Sequence, residues 1–172
     1  SVGTTVRDKE GSSAALAFAI MAADARANGE TVLDLVGDLH RRYGVAVSSQ
    51  VSIRMSGPDG PEEIAAAMTA LRSDPPSRIG DHAVVGVTDF LRGAADRPTY
   101  LGATNLIELD FGPGGRILAR PSGTEPKLKI YVDLQEPFPE SGDWMGAEAA
   151  LVQSATNTGN DLAEWMRAAI VP

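Results

Sequence analysis

The 172-residue chain is 43% apolar and 22% charged and has no cysteine; this suits one or two soluble globular domains and excludes disulfides and thiolate metal sites. A net charge of −8 argues against a nucleic-acid partner, whose phosphates call for a broad basic surface. No stretch approaches the ~18 apolar residues of a membrane span, and no secretory signal is read at Ser1, so a cytoplasmic protein without a membrane partner is expected.

Residues 1–11 read as a loop. Ser12 or Ser13 is the expected N-cap of a helix that stops at Ala27, before Asn28-Gly29. That helix is apolar almost all round and is expected to be buried on more than one side. Thr31 starts a second helix, with Asp34 completing a capping-box pair and Gly44 ending it. Val47, Val51, Ile53 and Met55 mark a strand from Ser48, and the domain boundary is placed there, giving residues 1–47 and 48–172. Pro61 opens a helix carrying Ile64, Met68 and Leu71, closed by Asp74-Pro75-Pro76. Strands are expected over 82–90, 104–111, 116–120 and 127–134, with Gly112-Pro113-Gly114-Gly115 as a hairpin turn. In the last strand Leu128, Ile130 and Val132 alternate inward while Lys127 and Lys129 face outward. After a Pro-rich linker over 135–143, apolar positions 151, 155, 162, 166 and 170 stay in phase through Gly159, predicting one long helix from Met145. The order β-α-β-β-β-β-α predicts an α+β domain, an antiparallel sheet with helices on one face.

Charge is unevenly spread. Residues 1–47 carry 6 acidic and 5 basic side chains, whereas residues 48–172 carry 17 and 10. Of those ten basic residues, Arg116, Arg120, Lys127 and Lys129 fall within one short stretch. A small basic focus on an acidic body suits a small anionic ligand. The stretch reads Arg120-Pro121-Ser122-Gly123-Thr124-Glu125-Pro126-Lys127-Leu128-Lys129-Ile130-Tyr131. Phosphate is recognised by such groups: a guanidinium fork at Arg120, hydroxyls at Ser122 and Thr124, and a turn at Gly123 that exposes amides. Glu125 cannot bind phosphate directly and is expected to orient Arg120 or a lysine, or to face water. Lys127 and Lys129 are expected to be solvated strand-face residues. His40 and His82 lack metal-ligand spacing, Ser48 and Ser49 lack an activating neighbour, and Trp144 and Trp165 are expected to pack.

Arg120–Pro126 resembles, without a gap, the phosphate-binding loop in the last domain of the α-D-phosphohexomutases, the phosphoglucomutase/phosphomannomutase enzymes. Val6-Arg7-Asp8-Lys9-Glu10-Gly11 is similar to a segment late in that family's third domain, where a lysine faces the active-site cleft. The resemblance implies that residues 1–47 are the C-terminal helical part of a third, α/β domain. Residues 48–172 would then be the fourth domain, with a TATA-box-binding-protein-like fold. It implies that Arg120, Ser122, Gly123 and Thr124 hold the non-reacting phosphate of a phosphosugar, with Lys9 as a possible substrate contact.

The family's phosphoserine loop, acidic Mg²⁺ loop and sugar-selecting loop do not occur in the sequence. The expectation is therefore a C-terminal fragment with no catalytic or metal-binding residue of its own, inactive alone. The partners implied are the phosphosugar and the upstream domains of the same protein. The full-length enzyme would interconvert hexose 1-phosphate and hexose 6-phosphate, glucose and/or mannose, through a hexose 1,6-bisphosphate intermediate and with Mg²⁺. Lys127-Leu128-Lys129-Ile130-Tyr131 favours the glucose/mannose branch over the phosphoglucosamine mutases. A stand-alone phosphate-binding module without catalysis is the alternative of a different class.

Overall fold

The computed structural model describes residues 10–55, 57 and 59–170. Lys9, with Arg7 and Asp8, lies outside the described residues. The chain divides into two compact units at the Gly44–Val45 junction, whereas the sequence pattern places its boundary after Val47.

The first unit contains α1 (Gly11–Ala27) and α2 (Val32–Tyr43). Glu10, rather than either serine, caps α1: its carboxylate accepts from the amides of Ser12 at 2.6 Å and Ser13 at 2.7 Å. The longer, charged side chain reaches back over the first turn and meets the positive end of the helix dipole. Hydrogen bonds from the Ser13 side chain and from the two amides hold the Glu10 carboxyl at a pKa of about 2. The expected burial of α1 is not seen. Among its residues only Ala25 is buried, and Leu16, Phe18, Ile20 and Met21 are 40–63% exposed. A helix apolar on every side needs neighbours on every side, and among the described residues this unit supplies one other helix. In α2 the capping box forms as expected, with Thr31 Oγ1 accepting from the Asp34 amide and Asp34 accepting from the Thr31 amide.

The second unit is α+β. Its elements are β1 (Val45–Arg54), α3 (Gly60–Ser73), β2 (Arg78–Ile79), β3 (His82–Ala83), β4 (Gly86–Asp89), β5 (Ile107–Asp110), β6 (Gly115–Pro121), β7 (Lys127–Glu136) and α4 (Trp144–Ala168). A five-stranded antiparallel sheet runs in the order β1-β7-β6-β5-β4. Strand β1 begins at Val45, ahead of the expected Ser48, because all ten of its residues find partners on β7. The expected strand over 82–90 breaks. Its first residues fold back on β2 around the Gly80–Asp81 turn, and only Gly86–Asp89 joins the main sheet. The expected strand over 104–111 shortens to Ile107–Asp110, the length over which β4 pairs with it.

One face of the sheet carries α3 and α4. Leu128, Ile130, Val132 and Leu134 of β7 are buried in one core with Met68 and Leu71 of α3 and Leu162 and Met166 of α4. Each such burial contributes about 1.5–3 kcal/mol relative to leaving the side chain exposed. Helix α4 runs unbroken through Gly159, as the apolar spacing predicts. A Cβ there would lie 2.8 Å from Val51 Cγ2, so the glycine lets the helix approach the sheet closely. The opposite face of the sheet carries no helix of this unit and is lined by the alternate residues of each strand. That open face positions the candidate site.

Candidate functional site

The β6–β7 connection, Ser122–Pro126, is anchored at its base. The Ser122 amide donates to the Lys127 carbonyl at 2.8 Å, and the Lys127 amide to the Glu125 carbonyl at 2.7 Å. The Met55 amide donates to the Pro126 carbonyl at 3.2 Å, which ties the loop to the end of β1. Inside that frame the amides of Gly123, Thr124 and Glu125 donate to no partner among the described residues. Gly123 has no positive φ, and a Cβ built on it would meet nothing within 4 Å. Neither backbone strain nor a protein neighbour therefore demands glycine here. An open approach to the amides is what it supplies.

Strand register gathers the cations. Arg120 lies opposite Lys129, Lys129 opposite Ser52, and Lys127 opposite Arg54. Facing residues of an antiparallel pair project from the same side of the sheet. Because Leu128 and Ile130 point into the core, Arg54, Arg120, Lys127 and Lys129 all project from the open face. Like charges directly opposite each other are destabilising, and two such pairs stand side by side here. Lys127 is partly neutralised, its Nζ lying 3.0 and 2.9 Å from the two Glu125 carboxylate oxygens. That hydrogen bond, with the Lys127 charge and smaller contributions from Arg54 and Lys129, holds the Glu125 carboxyl below its ordinary range. Among the described residues the Arg120 guanidinium makes only a 3.4 Å contact from Nε to the Pro121 carbonyl. Glu125 thus orients a lysine, one of the alternatives expected of it. Lys129 is not an isolated strand-face charge but the direct neighbour of Arg120.

The loop has a second side. A cavity of about 600 Å³ is lined by Pro61, Ile64, Ala65 and Asn105 together with Pro121–Pro126. Arg120 does not line it. Asn105 is held from behind by the Arg72 guanidinium, which donates to its side-chain oxygen and lies 3.3 Å from Asp89. The loop thus separates a cationic surface from a largely apolar hollow.

The structure places the sequence-predicted Arg120 on the open face at the end of β6 and Ser122, Gly123 and Thr124 in the loop that follows. It sets Arg54, which the sequence reading did not single out, on the same face as Arg120. The only local signal of Arg54 is a place on the polar side of the β1 alternation. The histidines have structural partners: His40 Nδ1 lies 3.2 Å from the Gly44 carbonyl, and His82 stacks on Phe111 with centroids 4.9 Å apart. Trp144 and Trp165 pack against the core. Among the described residues no cluster of His, Cys, Asp or Glu could hold a metal, and no helix is long and apolar enough to cross a membrane.

Comparison with known proteins gives a consistent picture. Residues 51–137 match the family model described as phosphoglucomutase/phosphomannomutase, C-terminal domain. A probable phosphomannomutase of Haemophilus influenzae is 38% identical over 143 residues, covering 83% of this chain and 27% of the relative. A phosphoglucomutase of Staphylococcus aureus is 31% identical over 139 residues, covering 77% of this chain and 25% of the relative. The chain therefore spans about a quarter of the length of the curated relatives it matches. The fold is similar to that in the open-form crystal structure of pp63/parafusin, a phosphoglucomutase from Paramecium. The TM-score is 0.55 at 17% identity, covering 91% of this chain and 28% of that one.

Proposed function

We propose, from the premise that the chain belongs to the phosphoglucomutase/phosphomannomutase family, that it grips the non-reacting phosphate of a hexose phosphate. In this reading it acts within an enzyme that interconverts hexose 1-phosphate and hexose 6-phosphate. The observation that carries the reading is the pairing of Arg120 with Lys129 near the amides of Gly123 and Thr124, which donate to no partner among the described residues. A phosphate dianion answers both features at once. It relieves the repulsion between facing cations and accepts from the amides and from the Ser122 and Thr124 hydroxyls. Arg120 supplies a planar fork to two phosphate oxygens. Residues 1–47 belong to the preceding domain.

The described residues do not fit Mg²⁺, since the loop is cationic and no acidic cluster accompanies it. No metal is assigned to this chain and no phosphoryl transfer takes place on it. The chain alone is inactive as a mutase, because its sequence carries no phosphoserine loop. Titration of the ¹⁵N-labelled chain with glucose 6-phosphate tests the reading. Amide shifts centred on Ser122–Glu125, without turnover of glucose 1-phosphate, are expected. Shifts elsewhere only, or turnover by the purified chain, would overturn it.

A further inference from the structure

We propose that Arg54, outside the loop motif and on the far side of β7 from Arg120, is a further phosphate-binding residue of this site. The inference rests on the reading just given. Three observations carry it. Arg54 ends β1 directly opposite Lys127 and on the same face as Lys129 and Arg120. The next amide, that of Met55, is bonded to the Pro126 carbonyl, so the Arg54 backbone is fixed against the base of the loop. The Arg54 side chain is exposed and makes no hydrogen bond or ion pair among the described residues; Glu125, whose charge it senses, is already taken by Lys127.

Strands β1 and β6 flank β7, and Arg54 and Arg120 face positions two residues apart on it, so they stand ~12 Å apart diagonally across the sheet. A phosphate seated between Lys127 and Lys129 on β7 is then within reach of a guanidinium from each flanking strand. Each fork can donate two parallel hydrogen bonds, and a dianion offers enough acceptor oxygens for both. The arrangement favours the dianion over the monoanion, because only the dianion offsets the surplus charge of the facing cation pairs. The sulfate dianion, of similar shape, is a weaker hydrogen-bond acceptor and serves as a probe of this preference.

The test compares Arg54→Ala, Arg54→Lys, Arg120→Ala and Arg167→Ala in the same 172-residue chain. Arg167 is an exposed residue at the end of α4 and controls for net charge. Each variant is titrated with inorganic phosphate and with glucose 6-phosphate at low and moderate salt, after its amide spectrum has shown the fold intact. Arg54→Ala is expected to weaken both ligands about tenfold, the effect of one charged hydrogen-bonding partner. Arg54→Lys is expected to recover part of that loss, and Arg167→Ala to match the parent chain. If Arg54→Ala binds as Arg167→Ala does while Arg120→Ala loses affinity, the role of Arg54 is overturned and the loop reading stands. If Arg120→Ala also binds as the parent does, the phosphate site itself is overturned, and this inference with it.

Discussion

The open face of the sheet carries an arginine on β6 near each end, Arg116 and Arg120, and the two live in opposite surroundings. Arg116 faces Asp133 of β7 and Asp110 of β5. Its Nε lies 3.0 Å from Asp133 and its Nη1 lies 3.1 Å from Glu108. The hydrogen bond it donates to Asp133 foremost raises the pKa of its guanidinium. Arg120, two pleats along the same strand, faces Lys129 instead. Alternation alone sends both side chains to the same face. The partner strand decides that one is engaged in ion pairs and the other faces a second cation. A cationic surface that the protein leaves uncompensated is a stronger pointer to an anion site than a count of basic residues.

The two ends can be set against each other by substitution. The largest effect is expected at the glycines that flank them. Gly115 has φ of +125°, and a Cβ there would fall 2.0 Å from the Asp133 carbonyl oxygen. Gly115→Ala is expected to destabilise the chain by about 3 kcal/mol or more, from backbone strain and overpacking together. Gly123→Ala, with open space around it, is expected to leave the denaturation midpoint unchanged while weakening glucose 6-phosphate binding. Equal losses of stability in the two variants would remove the argument that Gly123 serves an approaching ligand.

The arginines come next. Arg120→Ala is expected to weaken phosphosugar binding by roughly one to two powers of ten, the equivalent of about 1.5–3 kcal/mol. Arg116→Ala is expected to leave binding unaltered. Its side chain is 51% exposed, so loss of its ion pairs is expected to cost about 0–1 kcal/mol of stability after solvent screening. Calorimetric titration and chemical denaturation of the same two proteins measure both quantities. A matched loss of affinity in the two variants would mean that general charge attracts the ligand.

The smallest effect concerns Glu125. Its carboxyl is expected to titrate below the ordinary value of 4.5 because Lys127 hydrogen-bonds it. The ion pair is therefore fully present above that value and is lost as pH falls through the lowered one. Lys127→Met is expected to return the midpoint upward, readable from the side-chain carboxyl carbon shift. Glu125→Gln frees Lys127 and is expected to tighten phosphate binding by about twofold to fivefold at low salt, a gain that fades as salt screens it. Weaker binding in Glu125→Gln would show that the carboxylate shapes the loop rather than competing for its cations.

Much of this organisation is local and therefore legible. The Thr31–Asp34 capping box, the alternation of β7 and the unbroken stripe of α4 depend on residues within a few turns or pleats of one another. Arg120, Ser122, Gly123 and Thr124 are recognisable because one short segment carries the whole set of donors. The misreadings share the opposite cause. The break in the expected strand over 82–90 reflects which partners lie beside it. The exposed apolar surface of α1 reflects the absence of neighbours that composition alone cannot count.

What the sequence determined by itself was the chemistry of the β6–β7 loop and the type of most elements, since hydrogen-bonding groups and periodicity are carried by neighbouring residues. What only the tertiary structure decided was the company that loop keeps. Pairing the first strand of the second unit with its last brings Arg54 to Lys127, and the β6–β7 register sets Arg120 against Lys129 but Arg116 against Asp133. Register follows from how far paired backbones extend and which faces bury their side chains. It therefore couples residues far apart in the chain, and with them the charge that an incoming anion meets.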